Sequence, residues 1–371
     1  MNPEILEVLY RYTQIALTDE FQKHVHKLSE RLEKGIKRGY SKKKREEKIV
    51  SMIENIVNSI GSFSTTGHEP NSFLISTESI FIHGQKSIVE FDYYGNRTQR
   101  EFGDIIFIVS VVYKNKKFFE KMTINQVKKA NKNPSSWSFS SKENLEQLYL
   151  LSRFPPFKGV SGIIPKKKIW LPNYSKCLGT HGLLYPPGDF AVISSRLLER
   201  IIPSKRTIKL ADLVNLHRVE LYSPIGFNNC IDDWIELCIH LCLKGCLPTL
   251  CSSNCWGRLP VLSSSCIAYN ILEFAEKYLL SLIGELIYGY SINYNKQAFE
   301  FLHSIMSTIK TLASKEDTWG KYSQLVDLFY KYKYAKNNGI NPDPNIQFND
   351  LPIDGGGIGI VYTTISLGRE L

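Results

Sequence analysis

The stretch EFGDIIFIVSVVYKNKKFFEKMTINQVKK (101–129) contains three side chains whose types and spacing suit chemistry on phosphate: Asp104, Gln126 and Lys128. Asp104 opens one apolar run, Gln126 and Lys128 stand near the end of the next, and Lys114 to Lys117 turn the chain between them. Side chains two apart on a strand share a face, so Gln126 and Lys128 point together, toward wherever the hairpin brings Asp104. Hydrolysing a phosphodiester needs oxygen ligands for a hard divalent cation, a positioned water, and positive charge near the developing negative charge. Asp104 offers a carboxylate oxygen, Gln126 an amide carbonyl and Val127 its backbone carbonyl. Lys128 can orient the water or stabilise the pentavalent phosphate.

These residues need elements to hold them. Residues 105–113 are almost continuously apolar, the mark of a strand covered on both faces, and 118–128 return beside them. Ahead of the hairpin, Ile49, Ile53, Ile56, Val57 and Ile60 give one buried helical face over 44–60, stopped by Gly61. Residues 72–94 alternate and are rich in β-formers, which predicts a strand near 79–91. Beyond the hairpin, Leu145, Leu148 and Leu151 predict a helix over 143–152, ended by Pro155 and Pro156, and 189–194 a short strand. The order is αβββαβ. The first forty residues read as a helical arm. Past residue 200 helices are expected at 210–216, 232–243, 267–289 and 296–335, then a terminal strand, IGIVYTTISL. The expected division is a basic helical arm (1–43), an α/β core (44–200) and a mostly helical remainder (201–371).

Asp104 followed by QVK at 126–128, carried on those elements, resembles the PD-(D/E)XK restriction-endonuclease-like nuclease superfamily. The likeness is to the branch in which Gln replaces the acid before the lysine, as in Mrr-type nucleases. SIFIHGQKSIVEF, REFGD and QLYLLSRFPPF (147–157) also resemble bacterial proteins with this core that serve phage defence. The resemblance covers about 44–200. It implies an αβββαβ mixed sheet flanked by helices, Mg²⁺ or Mn²⁺ held by Asp104, Gln126 and Val127, and hydrolysis of invading phage or plasmid DNA assisted by Lys128. The family's helix acid would come from Glu46, Glu47 or Glu54, with Glu54 favoured because it lies beside the apolar face; Glu101 is a further candidate ligand. Gly103 stands where the family more often has proline.

Composition fits that reading. The chain has 371 residues, 43% apolar and 22% charged, with 46 Lys and Arg against 36 Asp and Glu, a net +10 that favours polyanionic partners. Between Lys34 and Lys48 eight basic residues face two acids, Glu46 and Glu47. Such runs are solvated faces or phosphate contacts. The candidates for nucleic-acid contact are Lys42, Lys43, Lys44, Arg45, Lys129, Lys166, Lys167 and Lys168. No apolar run is long enough to span a bilayer, and the N-terminal residues lack the character of a secretion signal, so a cytoplasmic protein is expected. Without a Walker-type phosphate loop or a G-x-S-x-G elbow, unwinding of DNA would fall to a helicase or ATPase partner subunit, in an oligomer or hetero-complex. Five cysteines lie close together, Cys238, Cys242, Cys246, Cys251 and Cys255; the first three recur every four residues along one helical stripe, and none forms the tight pair of a metal finger, which favours buried thiols over a metal site. DGGGIGIVY (354–362) leads into a strand, so its glycines suit a bulge or hairpin better than a phosphate cradle. A catalytically inactive nuclease-fold DNA-binding or scaffold subunit is the competing reading.

Overall fold

The computed structural model describes residues 3–60, 62–65, 72–83, 87–130, 135–215, 223–224, 263–265, 267–290, 293–315, 319–336 and 357–368. Helix α1 spans Pro3–Ala16 and α2 Asp19–Ser41, started by the Thr18 hydroxyl accepting from the Phe21 N–H. Phe21, Val25, Leu28, Leu32 and Ile36 recur at helical spacing and form the buried face of α2. Helix α3, Glu46–Ser59, follows the basic loop 42–45. Then come β1 (Phe63–Ser64), β2 (Phe73–His83), β3 (Ile88–Tyr93), β4 (Asn96–Glu101), β5 (Ile105–Tyr113), β6 (Lys116–Lys129), β7 (Ser136–Ser138) and α4 (Lys142–Arg153). The chain continues through β8 (Phe157–Gly159), β9 (Lys168–Ile169), β10 (Gly179–Tyr185), β11 (Asp189–Ser194), α5 (Ser195–Lys205), β12 (Thr207–Lys209) and α6 (Leu210–Asn215). Past short pieces β13 (Ser223–Pro224), β14 (Ser263–Ser264) and β15 (Ile267–Ala268) lie α7 (Ile271–Leu279), β16 (Glu285–Gly289), α8 (Lys296–Lys315), α9 (Trp319–Lys331), β17 (Lys333–Tyr334) and β18 (Gly357–Leu367).

A mixed ten-stranded sheet organises the fold, in the order β1-β2-β18-β5-β6-β10-β11-β15, with β16 and β17 also paired to β6. Strand β5 is buried throughout, and its alternation divides two cores. Ile105, Phe107, Val109 and Val111 face α1, α2, α3 and α7, while Ile106, Ile108 and Val112 face α4, α8 and α9. Every position of the run is apolar or small because both faces are covered. Strands β5 and β6 are antiparallel, and α4 carries the chain across to β10, which runs parallel to β6. A separate four-stranded sheet, β4-β3-β8-β9, packs into the second core.

The chain is thus α/β, a mixed central sheet flanked by helices. Two expectations change in detail. The strand expected near 79–91 is two strands in different sheets, since β2 ends at His83 and β3 belongs to the four-stranded sheet. The helix expected over 267–289 stops at Leu279, and Glu285–Gly289 is a strand on β6. Gly284, at φ +103, makes the break, where a β-carbon would lie 2.8 Å from the Met122 carbonyl oxygen. The terminal strand β18 lies between β2 and β5, antiparallel to the first and parallel to the second. The expected helix at 232–243 and the five cysteines from Cys238 to Cys255 lie outside the described residues.

Candidate active site

β6 is longer than its partner. Pairing with β5 ends at Ile105 opposite Asn125, while β6 continues to Lys129. On that edge of β6 the backbone groups of residues 125, 127 and 129 would be left without a strand. Asn125 still accepts from the Asp104 N–H at 2.9 Å. Beyond it two carboxylates take the place of a strand: Asp104 Oδ2 accepts from the Val127 N–H at 2.7 Å, and Glu46 Oε2 from the Lys129 N–H at 2.6 Å. The N–H and carbonyl of a strand residue point to the same side, so the Val127 carbonyl lies on the edge between the two acids.

The backbone of Asp104 is held on both sides, because its carbonyl accepts from the Gly359 N–H of β18 at 2.8 Å. Gly103, just before it, has φ +153, a conformation closed to proline, and a β-carbon there would meet the Ile124 side chain at 2.8 Å. The local backbone therefore excludes proline at position 103. Gln126 donates its Nε2 to Asp104 Oδ2 at 2.5 Å, and its Oε1 accepts from the Gln147 amide of α4. Gln147 also donates to the Glu101 carbonyl at 3.2 Å, fixing α4 to the end of β4.

Burial pushes the Asp104 carboxyl up to about 8, the negative charges of Glu46 and Glu101 push the same way, and the Val127 N–H and Lys128 oppose them. Burial also raises Glu46, opposed chiefly by Lys128 and the Lys129 N–H. Lys128 thus lies within electrostatic reach of both acids. It also faces His181 of β10, whose Cα is registered with Gln126. His181 is fully buried, bonded through Nδ1 to Ser195 Oγ at 2.9 Å, and lowered to about 3 by burial and then by Lys128. Its Nε2 has no hydrogen-bond partner among the described residues.

Asp104, Gln126, Val127 and Lys128 are therefore brought together at one end of the sheet. Glu54 is not among them. It lies two turns along α3 with its carboxylate accepting from Ser79 Oγ of β2 at 2.5 Å, and it is 3% exposed. Glu46, at the first position of α3, is the helix acid that reaches the site. Lys129, expected on nucleic acid, turns its ammonium inward, donating to the Lys44 carbonyl at 2.6 Å and lying over the Tyr40 ring. Lys42, Lys43 and Arg45 are exposed and Lys44 half-buried, all in the loop that delivers Glu46. Lys166, Lys167 and Lys168 are exposed on the turn and strand at the edge of the smaller sheet. Gln147 and His181 went unread in the sequence: a Gln on an amphipathic helix and a His in an apolar strand carry no spacing signal.

Among the described residues no three His, Cys, Asp or Glu side chains are grouped so as to hold a metal ion. The oxygens available here are of mixed kind: Asp104 Oδ1, which has no hydrogen bond among the described residues, Glu46 and the Val127 carbonyl. That donor set, two carboxylates and a carbonyl, suits a hard cation such as Mg²⁺. No family model, curated protein or solved structure matches the chain.

Proposed function

We propose that this chain is a metal-dependent nuclease that hydrolyses phosphodiester bonds of DNA. One observation carries the reading: two carboxylates occupy successive N–H positions on the overrun edge of β6, with a carbonyl between them and Lys128 within electrostatic reach. Asp104, Glu46 and the Val127 carbonyl would hold the cation. When bound, Mg²⁺ polarises a phosphoryl oxygen and acidifies a water. Lys128 supplies positive charge to the phosphate. Gln147 orients Gln126, and Gln126 with the Val127 N–H fixes the rotamer of Asp104. A role in defence against phage, with a helicase or ATPase partner, follows from the family resemblance.

A second reading has an observation in its favour. Gln126 presents its NH₂ to Asp104 and its carbonyl to Gln147, and Asp104 is held protonated near neutral pH. That arrangement suits a nuclease-fold subunit that binds DNA without cutting it. Plasmid cleavage in Mg²⁺ or Mn²⁺, compared among the wild type, Asp104→Ala and Lys128→Ala, decides between them. The nuclease reading expects cutting by the wild type and loss in both variants with DNA binding retained. Cutting by both variants removes this site, and DNA binding with no cutting by the wild type leaves the second reading.

A further inference from the structure

Away from the site, α2 and α3 enclose a groove of about 390 Å³. Arg31, Lys34 and Arg38 line it from α2, at the i, i+3 and i+7 spacing that sets side chains along one helix face. Met52, Asn55 and Ile56 line it from α3, and no acidic side chain does. Gly35 lets the helices approach this closely, since Ile56 fills the space its β-carbon would need. Arg31 is fixed in place by donating to the Ser59 carbonyl at 2.8 Å. Arg38 is exposed and its guanidinium has no partner among the described residues. Among the described residues Lys34 meets only Glu30, at 3.6 Å between two exposed side chains, a pair worth a few tenths of a kcal/mol in helices generally. The groove therefore combines three cations, none held by a buried counter-charge, with an apolar floor.

Past the C-terminal end of α2 the chain runs through Lys42, Lys43 and Arg45 to Glu46 at the start of α3. Asn55, near the middle of the groove, lies nine residues along α3 from Glu46. At about 1.5 Å per residue that is roughly 14 Å, about four steps of the 3.4 Å base-pair rise.

We propose that this groove grips the phosphodiester backbone of DNA about four base pairs from the point of chemistry. The inference rests on reading the chain as a DNA enzyme, but its test uses binding alone. Phosphates fit the row of cations by charge, and Met52 and Ile56 offer an apolar wall to the sugars. Each cation set against a phosphate releases counterions, so the contribution appears as salt dependence.

The test is fluorescence anisotropy of a labelled 20-base-pair duplex (about 68 Å of helix) in EDTA, where no cutting occurs. The full chain is compared with Arg31→Gln/Lys34→Gln/Arg38→Gln. The variant should bind at least about 10-fold more weakly, with the slope of log affinity against log salt shallower by about 2–3, near 0.9 per lost phosphate contact. Lys34→Gln and Arg38→Gln alone, both at exposed positions, should each reduce the slope by about 1 and leave Tm unchanged, which separates a lost contact from a damaged fold. Wild-type affinity and slope in the triple variant would overturn the proposal. So would capture of anionic phosphatidylserine vesicles that the variant loses while duplex binding stays constant. If the wild type never cuts DNA yet the variant loses binding, the nuclease reading falls and the groove stands. If the wild type cuts and the variant binds normally, the reverse holds.

Discussion

Asp104 and Glu46, from a strand end and a helix start 58 residues apart in sequence, accept from alternate N–H groups, Val127 and Lys129, of one strand edge. The edge exists because β6 outruns β5, and each acid satisfies a backbone donor that would otherwise be left without a strand partner. The same geometry sets the Glu46 carboxylate close enough to add to burial in raising the affinity of Asp104 for a proton. On the proposed reading a bound cation would relieve that pressure.

That relationship separates two glutamates on one helix. Glu46→Gln should lower DNA cleavage by about 100-fold or more, the scale of losing a group that meets the transition state. Glu54→Ala should leave cleavage at saturating Mg²⁺ intact and lower unfolding free energy by about 1–3 kcal/mol, because Ser79 loses its buried partner. Rates and urea unfolding measured on both variants check this, and cleavage lost with Glu54 alone would return that residue to the site.

Asp104 makes stability depend on pH in a definite direction. Its folded pKa is raised to about 8, against about 3.9 in an unfolded chain. The folded state therefore holds a proton that the unfolded state releases between those values, and this group's contribution to stability declines as pH rises through that window. The Asp104→Asn variant cannot ionise. Its Tm should exceed the wild-type value at pH 8.5 by at least about 2 °C, with the difference shrinking toward pH 4. Saturating Mg²⁺ at pH 8.5 should stabilise the wild type and leave the variant unchanged. A Tm difference that does not vary with pH would contradict the assignment.

Gln147 acts through Gln126. Its amide holds the Gln126 carbonyl, and Gln126 in turn donates to Asp104, so on the nuclease reading Gln147→Ala should raise the Mg²⁺ concentration for half-maximal cleavage by about 10-fold, the lower end of the usual cost of losing support behind a ligand. Gln147→Glu accepts where the native amide donates, which would turn the Gln126 carbonyl toward Asp104 and take away that acid's amide donor, so the Mg²⁺ requirement should rise at least as far as in Gln147→Ala. Metal titrations of the two variants distinguish this from loss of packing, which the isosteric Gln147→Glu would not cause.

The hairpin that carries the site was legible because a run apolar at nearly every position suits a strand covered on both faces, and β5 is one. Helix α3 was legible from Ile49, Ile53 and Val57. Which of its acids serves the site was not, because that depends on β6 outrunning β5, a property of pairing and not of either segment. The place of β18 was equally hidden: IGIVYTTISL announces a strand, but nothing in it names β2 and β5 as neighbours 254 to 294 residues earlier. Glu285–Gly289 read as helix because a short apolar run has no period of its own, and its pairing with β6 settled the matter.

At the other end of β6 lies a second polar cluster, whose role is structural. Glu120 accepts from Ser110 Oγ at 2.5 Å, Lys117 Nζ at 3.3 Å, Tyr334 at 2.8 Å and Tyr362 at 3.1 Å, wholly beneath α8 and α9. Lys117 also donates to the Phe329 carbonyl at 2.8 Å and lies 4.2 Å from that ring's centre. Burial pulls Lys117 downward, with Glu120 opposing. In Glu120, burial pushes upward but Lys117 and the hydroxyl donors outweigh it, so its carboxyl is held low. Removing one charge leaves the other buried without compensation. Glu120→Gln should therefore cost about 3–5 kcal/mol in denaturant unfolding, whereas Lys117→Met/Glu120→Leu, which removes both charges and keeps volume, should lie closer to the wild type than the single variant does. A double variant less stable than Glu120→Gln would mean that the aromatic cage around Lys117, and not the ion pair, holds this end of the sheet together.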